Sequence, residues 1–185
     1  RLVTDIVYYR ETGQPMAGQV EAATLTIPLV ISFAGPFSIA LGRAPRDNDR
    51  LGSFAAGLFA GPVIIDSFGN AECIQVNFTP LGAVRFFGLP MSELANAMVT
   101  LDDLGDRALD ELRRRLADEP EPGRRLDLVE AFVLARIRGG RSPSADIAWA
   151  YRRILETAGR VRIAGLAEEI GCSRKHLFAS FRRDV

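Results

Sequence analysis

The feature that most restricts how this chain can fold is a change of period at Thr79. Before it, short apolar or β-branched runs (Leu2 to Arg10, Ala23 to Phe33, Phe37 to Leu41, Leu58 to Asp66, Ala71 to Phe78) are separated by turn-forming clusters such as Thr12-Gly13-Gln14-Pro15, Gly35-Pro36 and Gly69-Asn70. Ile74, Val76 and Phe78 alternate with Gln75 and Asn77, the period of a strand with one face in a core. After Thr79 the apolar residues recur at helical spacing. Thr79 is placed to cap a helix beginning at Pro80, and Gly88 with Pro90 stops it. Leu101, Leu104, Leu109, Leu112 and Leu116 stripe one helix behind a Thr100/Asp103 N-terminal box, and Leu126, Val129, Val133 and Ile137 stripe another. Strands followed by helices make an α+β fold, and evenly spaced short strands predict a small barrel or sandwich.

Composition narrows the chemistry. Of 185 residues, 48% are hydrophobic and 25% charged, the balance of a globular protein able to bury a core without metals or disulfides. No apolar run approaches the ~18 residues of a membrane span, and no signal-peptide pattern opens the chain. The first residue is Arg1 rather than Met, which is expected of a fragment or trimmed chain. Cys73 and Cys172 stand in unlike contexts and are expected as free thiols in a reducing cytoplasm. The single histidine, His176, excludes metal sites built on two or three His ligands and any His-dependent triad in the first 170 residues. Nucleophile-elbow, Walker and dinucleotide-binding motifs are absent, so neither an enzyme nor a cofactor is expected.

The balanced net charge hides a partition. Residues 1–140 carry fourteen Arg and eighteen Asp/Glu, a net of −4; residues 141–185 carry nine Arg/Lys and five Asp/Glu, a net of +4. The sign changes at Gly139-Gly140-Arg141-Ser142-Pro143-Ser144, a small, polar, proline-bearing stretch that reads as a linker between two domains, 1–140 and 141–185. A basic segment on an acidic body points to nucleic-acid contact at one end.

Within that segment, Leu166-Ala167-Glu168-Glu169-Ile170-Gly171-Cys172-Ser173 has the chemistry of a helix-turn-helix. Ala167 supplies the small residue where two steeply crossing helices approach, Gly171 tolerates positive φ in the turn, and Ser173 caps the second helix. Leu166, Ile170, Leu177 and Phe181 face inward in pairs spaced i, i+4. Projection at ~100° per residue puts Lys175, Ala179 and Arg182 opposite that seam, flanked by Phe178 and Arg183. A small residue among cations and one apolar ring suits a helix over residues 173–183 seated in a major groove, with Ser173, Arg174 and His176 reaching phosphate near its positive end.

The run from Gly159 to Arg183 resembles the first helix-turn-helix of AraC-type (AraC/XylS) bacterial transcription regulators, whose L-A-x-x-x-G-x-S-x-x-x-L-x-x-x-F-[KR] pattern is matched from Leu166 to Arg182. Asn77 to Ala83 and Phe87 to Asn96 resemble the sensor-like domains of such regulators. The resemblance implies an N-terminal cupin-like β-barrel or sandwich with a helical tail, then a helix-turn-helix unit. It places base reading on Lys175, Phe178 and Ala179 and backbone contacts on Arg174 and Arg182. It also implies a second such unit beyond Val185, an effector-sensing or dimerising N-terminal domain, and DNA, a small-molecule effector and a second copy as partners. The aromatics Phe33, Phe37, Phe54, Phe59, Phe68 and Phe78 are available to line an effector cavity or to fill the core. The alternative is a stand-alone cupin-like ligand-binding or protein-interaction module whose C-terminal helices only pack.

Overall fold

In the computed structural model, which describes residues 1–185, the strands form two antiparallel sheets. In the first, β1 (Val3–Arg10), β8 (Glu72–Phe78), β3 (Ile27–Ala34), β6 (Phe54–Ala56) and β9 (Met98–Thr100) lie side by side in that order. The second orders β2 (Gln19–Glu21), β7 (Val63–Asp66), β4 (Phe37–Leu41) and β5 (Arg50–Leu51). Of the expected strand runs, Phe37 to Leu41 matches at both ends, whereas Ala23 to Thr26 and Leu58 to Pro62 lie outside strands. No strand pairs across the two sheets, so the barrel alternative is not closed. Closure would need an edge strand of the first sheet, β1 or β9, to pair with an edge of the second, β2 or β5, and none does; at Gly35, where φ is +62°, the chain turns from β3, already flanked by β8 and β6, into β4 of the other sheet.

The seven helices follow mostly from their caps. Thr79 Oγ1 accepts from Gly82 N at 3.2 Å and opens α1 (Pro80–Phe87), which Gly88 closes in the left-handed conformation. Thr100 caps α2 (Leu101–Leu104), but the long helix expected to follow is interrupted. Gly105 takes φ 64°, and Asp106 starts a new helix, α3 (Arg107–Asp118), by accepting from the Ala108 and Leu109 amides. The leucine stripe is continuous in space although the helix is not: Leu101, Leu109, Leu112 and Leu116 all enter one core. That core lies between the five-stranded sheet and α1 to α4, where α4 is Pro122–Gly139, and it holds Ile27, Leu29, Ile31, Ile74, Val76 and Phe78 of the sheet. Arg125 of α4 is buried at its edge, paired with Glu72 and stacked 4.6 Å from the Phe33 ring.

The stretch expected as a linker is pinned at several points. Gly139 ends α4, and a Cβ at Gly140 would collide with the Arg85 carbonyl of α1. Arg141 and the Ser144 amide both bind the Asp184 carboxylate, at 2.7 and 3.1 Å. Ser144 then caps α5 (Ala145–Glu156), which packs with α6 (Ile163–Ile170) and α7 (Arg174–Asp184) around Ile147, Ala150, Leu166, Ala167 and Leu177. No helix of the chain is long and apolar enough to cross a membrane.

Candidate nucleic-acid interface and inter-sheet cavity

The α6–α7 corner is built as its residues dictate. Gly171 adopts φ 79°, ψ 31°, and its amide with that of Cys172 returns to the Glu168 and Ala167 carbonyls at 3.0 and 2.9 Å. Ser173 Oγ accepts from His176 N at 3.1 Å and opens α7. Leu166, Ala167 and Leu177 are buried together, with Ile170 and Phe181 packed against them. This seam fixes which side of α7 is left outward.

Lys175, Phe178, Ala179 and Arg182 lie on that outward side, and Ser173 and Arg174 stand at the start of the helix. Ser173, Arg174, Lys175, Phe178, Ala179 and Arg182 are all exposed. Phe178, at 63% exposure, is a large apolar side chain left in water, and the Arg182 guanidinium sits over its ring at 6.0 Å. Arg174, Lys175 and Arg182 form no ion pair, so their charge is available to an external anion; Arg183 differs, bound to Asp184 at 2.8 Å. Arg160 and Arg162, just before α6, are exposed and unpaired as well.

The far end of α7 is held by a feature absent from the sequence reading. Asp184 is buried, and hydrogen bonds from Arg183 and the Ser144 amide hold its carboxyl at about 2, below the ordinary Asp value. Next to it, Met91 N donates to Val185 O at 2.6 Å and Ser92 Oγ to Arg182 O at 3.4 Å. The 3₁₀ turn Met91–Glu93 after α1 therefore meets the C-terminal end of α7, while Lys175, Phe178 and Ala179 project from its other half.

A second concave feature lies between the sheets: a cavity of about 280 Å³, mostly apolar, walled by Val30, Phe37, Ile39, Phe54, Val63 and Ile65 among others. Of the aromatics available for it, Phe37, Phe54 and Phe59 line it. Phe78 fills the helix-side core, Phe33 packs there too, and Phe68 lies under Arg50 at 4.8 Å from the ring centroid. Gln75 and Asn77, the polar half of the β8 alternation, face this cavity. Burial, with a smaller push from Glu72, raises the Cys73 thiol to about 12, so it stays protonated at neutral pH and presents no nucleophile.

Among known proteins, no family model matches the chain and no curated protein matches its sequence. A solved structure, described as the crystal structure of the AraC-like transcriptional activator CuxR, is similar over 96% of this chain and 70% of its own, at 14% identity and a TM-score of 0.44.

Proposed function

We propose that the chain is a DNA-binding transcription regulator of AraC type rather than an enzyme. Residues 1–140 sense a small effector, and residues 141–185 place α7 in the DNA major groove. The observation that carries this reading is the outward face of α7. Three cations without ion-pair partners, an exposed phenylalanine and a small alanine are presented on a helix whose turn and cap are fixed by Gly171 and Ser173. Lys175 and Arg182 reach base edges or phosphates, Phe178 offers a ring to a thymine methyl, and the α7 N-terminus with Ser173 and Arg174 binds a phosphate.

The cavity between the sheets supports the effector-sensing part, since a mostly apolar hollow with a few polar side chains is the usual form of a small-molecule site. Contact of the 3₁₀ turn with α7 gives a physical route from that body to the DNA-facing helix. Dimerisation through the N-terminal domain or its helices would space two half-sites along the duplex.

Selection from randomised duplex DNA tests the reading. The full chain should enrich a defined motif, and its Lys175→Glu/Arg182→Glu variant should lose it. Enrichment that ignores those charges, or none at all, leaves the stand-alone ligand-binding or interaction module as the better reading.

A further inference from the structure

The chemistry of the cavity lining says what kind of molecule it accepts, an inference resting on the reading of that cavity as the effector site. None of its 24 lining residues is Arg, Lys or His, and the one carboxylate among them is Glu21. The polar side chains are oriented by a relay. The exposed Asp5 carboxylate can only accept, so Asn77 must present Nδ2 to it, at 2.6 Å. That turns Asn77 Oδ1 toward Gln75, which must answer with Nε2 at 2.9 Å. Both amides are thereby fixed, and Gln75 Oε1 is left with no protein donor. Tyr9 is committed in the same sense, donating its hydroxyl to Glu11 at 3.1 Å.

The lining therefore offers a free acceptor at Gln75 Oε1, beside the second N–H of each fixed amide and the Thr24 and Thr26 hydroxyls, but no cation, and the carboxylates of Asp5, Glu11 and Glu21 stand behind or beside it. An organic anion entering here would lose water and meet no cation, the costly way to bury a charge. A ligand N–H or O–H would instead satisfy Gln75 Oε1. The volume, just under the ~300 Å³ lower end of ordinary ligand pockets, limits the occupant to one or two rings.

We propose that the inter-sheet cavity takes a compact apolar ring compound bearing a hydrogen-bond donor, uncharged or cationic, and rejects organic anions. Gln75 is the residue that selects for the donor.

Three probes matched in shape test this on the full chain by calorimetry and amide NMR: indole-3-acetamide (neutral), tryptamine (cationic) and indole-3-acetate (anionic). The first two should bind and shift the Gln75 and Asn77 side-chain amides, with the acetate weaker by about ten-fold or more. Gln75→Leu, close in volume, should bring both favoured probes down toward the acetate. Equal or tighter binding of the acetate, with cavity resonances shifting, overturns the charge selection while the cavity keeps its role as a binding site. Cavity resonances unmoved by all three probes at millimolar concentration overturn that role and the assignment with it.

Discussion

The two faces of the five-stranded sheet are made from the same strands yet are packed to different ends. On one face, Ile74, Val76 and Phe78 of β8 are fully buried against helices, with Phe78 and Phe86 rings 4.6 Å apart. On the other, Cys73, Gln75 and Asn77 look into a hollow of about 280 Å³ that the second sheet roofs without filling. Close packing is what folding selects for, so a hollow left between well-ordered sheets marks the face that is free to serve binding. Adjacent residues of one strand thus serve the packing of the fold and, on the proposed reading, a binding site.

Truncation should break this contrast most clearly on the helix side. Phe78→Ala removes a fully buried ring and should cost about 3–5 kcal/mol, read as a lowered urea midpoint. A finer comparison uses two neighbours on β6. Ala55 is fully buried against the helix-side core, and Ala56 lines the cavity. Ala55→Leu should overpack and cost about 1–3 kcal/mol, whereas Ala56→Leu has room and should stay within about 0.5 kcal/mol of the parent. Equal penalties for the pair would mean that the cavity is not a persistent space.

The C-terminal unit supplies a smaller, pH-dependent effect. The folded value of Asp184, about 2, lies below its unfolded value of about 3.9, so its stabilisation is complete above pH ~4 and is lost as the pH falls toward 2. Asp184→Asn should flatten acid unfolding in that window, and amide exchange of α7 should become faster at neutral pH. A variant with unchanged acid sensitivity would remove Asp184 as the holding point of that helix end.

Much of this was legible from local chemistry. Thr79, Thr100, Gly171 and Ser173 do what their residue types predict, because a cap or a positive-φ turn is decided within a few positions. The corner between α6 and α7 was readable for the same reason. Alternation along β8 gave the two faces correctly, but Gln75 and Asn77 carry no mark that distinguishes solvent from a roofed cavity, since that depends on where a second sheet lies. The break at Gly105 was hidden by a leucine stripe that continues across it in space. The pinned linker escaped because its partner, Asp184, is 43 positions from Arg141 in the chain. The Gly140 backbone contact with Arg85 has no sequence signature at all.

The most direct measurement of the central claim is the salt dependence of duplex DNA binding, by fluorescence anisotropy, for the full chain and its Lys175→Glu/Arg182→Glu variant. If α7 docks through its three unpaired cations, log Kd should rise with log salt at a slope of about 3, and the variant should lose about two units of that slope together with most of its affinity. Binding that is weak, insensitive to salt and equal in the two proteins would contradict a DNA-reading α7.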